Sequence, residues 1–215
     1  MKTITVVTPC FNEEENIEQC YLAIKDFFKD TINYDYEHIF IDNASTDNTR
    51  NILKNIAKED NKARLIFNSR NFGHIKSPFY GLLQSQGDAT ILFVADMQDP
   101  IDMIPKFIHE WEQGYKSIVG VKRTSKESSL MFGIRKLYYK VVNKLSEIQL
   151  IDNFTGFGLY DKEVIDILKT IKEPYPYFRG MISEIGLNIK TIEYNQPVRG
   201  KGVTKNNFYI LPTSF

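Results

Sequence analysis

A chain of 215 residues, 42% hydrophobic and 25% charged, is long enough to bury the core of one α/β domain. Its two cysteines, Cys10 and Cys20, exclude a disulfide framework, and no C-x-x-C spacing offers a metal or redox site. Net charge is zero but unevenly spread: residues 1–115 carry 11 Lys+Arg against 18 Asp+Glu, and residues 116–215 carry 16 against 9. An acidic half suits a metal and a basic half suits phosphates or an anionic surface, or the two neutralise each other across an interface.

The N-terminus runs directly into a strand pattern without a signal peptide, and no apolar run reaches the roughly 18 residues of a membrane span. A cytoplasmic location follows as the expectation.

Ile4 to Thr8 is β-branched and reads as a strand ended by Pro9. Asn12-Glu13-Glu14-Glu15 opens a helix, with Asn12 as cap and an apolar stripe at Ile17, Tyr21, Ile24 and Phe28. Tyr36 to Ile41 is a second strand delivering Asp42 and Asn43. Ser45 and Asp47 begin a helix carried by Ile52, Leu53 and Ile56. Ala63 to Phe67 is a third strand, Asn68 to His74 a loop, and Lys76 to Gln86 a helix. The alternation β-α-β-α-β-α-β predicts a mostly parallel sheet with helices on both faces.

Ile91 to Ala95 is apolar without alternation, a strand buried on both faces, and it ends in Asp96, Gln98, Asp99 and Pro100. Carboxylates at the C-terminal end of such a strand stand on the rim where open α/β sheets bind ligands. Asp and Gln oxygens are hard donors suited to Mg²⁺ or Mn²⁺ on phosphates. Asp99-Pro100 equally suits a turn and N-cap for the next helix. Beyond it, Met103 to Trp111 reads as a helix, Ser117 to Val121 as a strand and Val121 to Ser129 as a polar loop. Leu130 to Ile148 reads as a long amphipathic helix, with Lys136, Lys140 and Lys144 on one side. Such a helix can lie on an anionic membrane or simply pack with a solvated lysine stripe. Asp152 to Tyr160 reads as a strand with a glycine-permitted close approach, and Asp161 caps a helix to about Lys172. Tyr175 to Gly186 is helical, Ile189 to Tyr194 a last strand, and Pro197 to Lys205 a basic loop.

Five motifs occur in one order: T-P-C-F-N-E-E (8–14), D-N-A-S-T-D (42–47), R-N-F-G-H (70–74), A-D-M-Q-D-P (95–100) and R-G-K-G-V-T-K (199–205). Together they resemble a family 2 glycosyltransferase of GT-A fold. The nearest branch comprises the dolichol-phosphate mannosyltransferases and bacterial undecaprenyl-phosphate glycosyltransferases. The resemblance covers essentially the whole chain. It implies one domain, with residues 1–115 binding a nucleotide-diphosphate sugar and residues 116–215 binding the acceptor. Pro9, Phe11, Glu13 and Asp42 match the nucleotide pocket; Asp96 and Gln98 match the metal and diphosphate positions. Arg123, Arg135, Arg199 and Lys205 are the candidates for gripping diphosphate or acceptor phosphate, with Asp96, Arg123 and Arg135 as catalytic residues. The implied cofactor is Mg²⁺ or Mn²⁺. The implied acceptor is a polyprenyl phosphate at the inner face of the cell membrane, with a homo-oligomeric or membrane-subunit partner as an option and no nucleic acid.

The chain departs from the family pattern at several positions. Val94 stands where the first metal-site acid is usual, Asn43 where a second Asp is usual, Phe11 where Tyr is frequent, and Thr204 where Ser is usual. Metal binding without nucleotide should therefore be weak. A phosphate acceptor is already anionic and needs no general base; a polysaccharide hydroxyl acceptor would need one, and Asp99 or Asp152 is then nominated. His74 reads as a loop hydrogen-bonder. A nucleotidyltransferase would want a glycine-rich basic loop after the first strand, where this chain is acidic. Val94 and Asn43 also prompt the reading of a degenerate, binding-only domain. Relatives that use polyprenyl phosphate commonly continue into membrane helices beyond the basic loop.

Overall fold

The computed structural model describes residues 1–31, 33–123 and 150–196. The expected helix at 130–148 and the basic loop at 197–205 lie outside them. Seven strands form one sheet: β1 (Lys2–Cys10), β2 (Tyr34–Asp42), β3 (Ala63–Phe67), β4 (Ala89–Leu92), β5 (Ser117–Lys122), β6 (Phe154–Asp161) and β7 (Ile189–Tyr194). The spatial order is β3-β2-β1-β4-β6-β5-β7. Strands β1 to β4 are mutually parallel, as the βα alternation predicts, and β5 pairs parallel with β7. Strand β6 runs antiparallel to both β4 and β5, which alternation alone does not reveal.

Helices cover both faces, because the strands bury apolar side chains on both. On one side lie α1 (Ile17–Lys29), α2 (Thr49–Glu59) and α4 (Met103–Glu112), packed on Ile4, Val6, Phe40 and Ile91. On the other lie α3 (Gly73–Leu83), α5 (Lys162–Thr170) and α6 (Phe178–Ile185), packed on Val7, Ile39, Ile41 and Tyr160. Asp161 caps α5 as expected, its carboxylate accepting from the Glu163 N–H.

Several boundaries differ from expectation for physical reasons. Strand β1 continues through Pro9 to Cys10. The Val7 carbonyl accepts from Phe93 on the β4 side and the Cys10 carbonyl from Asn43 on the β2 side, so the period of two turns Pro9 toward β4. Pairing with β4 stops at Val7, so the missing proline N–H costs no ladder bond. Asn12 does not cap α1: it is left-handed at φ 53°, and the helix starts only at Ile17. Strand β4 ends at Leu92, before Ala95, although Phe93 and Ala95 remain buried. Its pairing with β6 also stops there, at Leu92↔Gly158, and Gly156 bends β6 with φ 103°. The close approach expected of the glycine-bearing strand is made by Gly158, where a Cβ would overlap the Ile118 carbonyl of β5.

His38 on β2 is 1% exposed, shares a 2.8 Å hydrogen bond between Nε2 and the Thr8 hydroxyl, and among the described residues has no partner at Nδ1. Burial pushes its pKa down to about 3. The unfolded chain binds a proton below about pH 6.5 while the folded chain does not until near pH 3, so stability falls as pH drops through that window. The slope is about 1.4 kcal/mol per pH unit. In urea unfolding, the stability difference between wild type and His38→Gln should shift by about 2 kcal/mol against wild type between pH 6.5 and pH 5. A difference independent of pH would mean the ring is solvated.

Candidate functional site

The chain leaves β1 toward β2 and β3, then returns to place β4 on the other side of β1. The crevice between the C-terminal ends of β1 and β4 is therefore the topological switch point of the sheet, where open α/β folds bind ligands. Two loops flank it, residues 11–16 after β1 and 93–102 after β4. The topology thus brings Pro9, Phe11 and Glu13 to the same edge as Asp96 and Gln98. Asp42 ends the neighbouring β2 on that edge.

The β1 and β2 loops are sewn together. The Asn12 N–H donates to Ser45 Oγ (2.8 Å), Thr46 N–H to Asn12 Oδ1 (2.7 Å) and Glu13 N–H to Thr49 Oγ1 (2.9 Å). Asn48 N–H donates to the Glu14 carboxylate at 2.8 Å. Left-handed Asn12 and Ala44 (φ 65°) turn the two backbones toward each other. Each bond contributes about 1 kcal/mol net, so the set holds the pair of loops as one rigid wall.

Asp42 is fully buried. Its carboxylate accepts from the Ser45 N–H at 3.2 Å and from Arg50 Nε at 2.5 Å, and Arg50 Nη2 reaches on to the Asn68 carbonyl (2.8 Å). Sequence reasoning missed Arg50, eight residues downstream and across a turn. Asn43 is a second junction, also buried. Its Nδ2 donates to Asn71 Oδ1 (2.8 Å) and the Gly73 carbonyl (3.2 Å), while its Oδ1 accepts from Asn68 Nδ2 (3.1 Å) and the Phe72 N–H (2.9 Å). It fastens the R-N-F-G-H loop to the end of β2. His74, expected as a loop hydrogen-bonder, is instead exposed in the first turn of α3.

Asp96 is half-buried on a tight turn whose next residue, Met97, is left-handed at φ 56°. The Gln98 N–H donates to Asp96 Oδ1 at 3.1 Å. Two oxygen-bearing side chains thus share one turn. Among the described residues no group of three or more His, Cys, Asp or Glu is placed to hold a metal. Asp99 is 5% exposed and does not cap α4; it accepts from the Tyr194 hydroxyl at 2.8 Å. Burial, with Asp96 nearby, pushes its pKa up to about 6, against the pull of Tyr194 and Lys122. Asp152, the other nominated base, is exposed.

Strand β5 ends on the same edge. Arg123 is exposed and paired with Glu193 at 3.0 Å. Its neighbour Lys122 stands opposite Tyr194 in the parallel register, and paired residues share a sheet face. Lys122 is thus the cation on the Asp99 side, which the sequence reading passed over in favour of Arg123. Arg135, Arg199 and Lys205 fall outside the described residues.

Comparison with known proteins bears on the family and the fold. Residues 5–168 match the family model described as glycosyl transferase family 2. The chain is 32% identical over 205 residues to a bactoprenol glucosyl transferase of Shigella phage SfX, covering 95% of this chain and 67% of that protein. It is 31% identical over 203 residues to YkcC, an uncharacterized glycosyltransferase of Bacillus subtilis, covering 94% of this chain but 62% of YkcC, under two thirds of its length. Glucosyl-3-phosphoglycerate synthase of Mycobacterium tuberculosis, solved with Mn²⁺ and UDP, superposes with a TM-score of 0.63 at 19% identity, over 99% of this chain and 76% of that one; the likeness is one of fold. With a GT-A-like sheet, its switch-point crevice and a family match over most of its length, this chain belongs to glycosyltransferase family 2.

Proposed function

We propose that the protein transfers a sugar from a nucleotide-diphosphate sugar to a polyprenyl phosphate at a membrane surface. The observation that carries this reading is Asp96, a half-buried carboxylate on the switch-point turn, at the same sheet edge as the joined β1 and β2 loops. The named activity of the phage relative supports the acceptor class. The Mn²⁺ and UDP of the fold neighbour support a divalent cation.

The donor set fits such a cation: Asp96 and Gln98 offer hard oxygens, and a diphosphate would fill the remaining positions. When bound, the cation supplies positive charge for the departing nucleoside diphosphate. The chain's own residues do the rest. Pro9, Phe11, Glu13 and the Asp42 loop form the nucleotide end of the crevice. Lys122 and Arg123 add charge at the β5 edge, joined by Arg135, Arg199 and Lys205 as acceptor and diphosphate ligands. A phosphate acceptor needs no base, which accords with an Asp99 already engaged by Tyr194. Among the described residues no helix is long and apolar enough to cross a membrane. Exposed Tyr80, Tyr175, Tyr177 and Ile171 offer an interfacial surface, with Lys76 3.7 Å from the Tyr175 ring.

The test is calorimetry with UDP, GDP and CDP, with and without Mn²⁺, followed by transfer assays on polyprenyl phosphate vesicles using the matching sugar nucleotides. The expected result is one nucleotide binding in a Mn²⁺-dependent way and a lipid-linked sugar product. Binding without any transfer to the lipid would move the acceptor to a glycan hydroxyl. No binding at all would leave a degenerate domain.

A further inference from the structure

We infer that Tyr194 is a positioning residue that sets the Asp96–Pro100 turn, a role whose functional consequence rests on the donor site proposed above. Tyr194 closes β7, 95 positions beyond Asp99 in sequence, yet its hydroxyl donates to Asp99 Oδ1 at 2.8 Å. Both residues are nearly inaccessible, 4% and 5% exposed.

The ring that carries this hydroxyl is held on several sides. It meets Phe157 edge-on at 5.4 Å and 77°. It lies over Gly120, where a Cβ would stand 3.0 Å from the tyrosine Cε1 and 2.9 Å from Phe157, so only glycine leaves room. The Tyr194 carbonyl accepts from the Arg123 N–H at 2.9 Å, fixing the backbone as well. With two side-chain torsions and this packing, the hydroxyl has one place to be.

The turn it reaches needs such an anchor. Met97 sits at φ 56°, a conformation that costs a non-glycine residue about 1 kcal/mol or more. The Gln98 N–H bond to Asp96 Oδ1 secures one side of the turn, and the Tyr194 bond to Asp99 secures the other. The direction in which Asp96 presents its carboxylate is set between these two bonds. The last described strand thereby fixes the geometry of a turn formed in the first half of the chain.

Tyr194→Phe keeps the ring and removes the hydroxyl. Two readouts decide the role. In the ligand-free protein, amide hydrogen exchange over residues 96–99 should quicken about tenfold, the loss of one bond to a charged group, while β1 and β2 keep their protection. In calorimetry with UDP, GDP and CDP, the gain in affinity that Mn²⁺ confers should fall about tenfold while metal-free affinity is unchanged. Asp99→Asn, which still accepts from the hydroxyl, should retain most of that gain. Unchanged exchange in Tyr194→Phe would overturn the inference, as would an equal loss of affinity with and without Mn²⁺. Were wild type to bind none of the nucleotides, the donor-site reading would fail while hydrogen exchange still decided the tether.

Discussion

Asp96→Ala is expected to abolish Mn²⁺-dependent nucleotide binding and to lower sugar transfer by roughly 10³-fold, with no change of fold. A metal that stabilises a leaving diphosphate is worth several kcal/mol, and each 1.4 kcal/mol is a factor of ten in rate. Among the described residues little near Asp96 can compensate. Val94, two residues earlier, is apolar, and the neighbouring acid Asp99 is committed to Tyr194. The fold should survive, because among the described residues Asp96's carboxylate accepts a local hydrogen bond, from the Gln98 N–H. Product formation, calorimetry and thermal unfolding on the same preparation separate the effects. An Asp96→Ala protein that still transfers sugar would remove Asp96 from the metal site.

Asn43→Asp, a change toward the residue usual in relatives, should destabilise this protein by about 3 kcal/mol or more. Asn43 donates twice and accepts twice, and it is 6% exposed. A carboxylate would keep the two accepted bonds but set an ionised oxygen against Asn71 Oδ1 and the Gly73 carbonyl, both acceptors. The R-N-F-G-H loop should come loose from β2, so nucleotide affinity should drop together with stability. Denaturant unfolding and nucleotide titration of the variant check both. A variant as stable as wild type would show that the loop does not depend on the amide.

Both predictions turn on residues whose chemical type was plain in the sequence but whose partners were not. Asn43 read as a loss of acidic charge; in the fold its amide donates two hydrogen bonds and accepts two. Asp42 matched the family carboxylate for the base; the fold adds its partners, Arg50 and the Ser45 N–H. Asp99 read as a cap for α4 or a base; in the fold it accepts from Tyr194, 95 positions on. Lys122 and Tyr194 carried no motif and went unremarked.

The sequence alone determined the class of fold, the order of its elements and the sheet edge at which its motif residues gather. It could do so because hydrophobic period and β/α alternation are local properties, read within a window of a dozen residues. It also supplied the motifs of the family, since Asp96 and Gln98 lie two residues apart on one turn. The tertiary structure decided the antiparallel placement of β6, the early end of β4 and the sewing of the β1 loop to the β2 loop. It alone joined Tyr194 to Asp99. These are contacts between residues from about 30 to 95 positions apart, fixed by sheet order and register, and no local pattern encodes them.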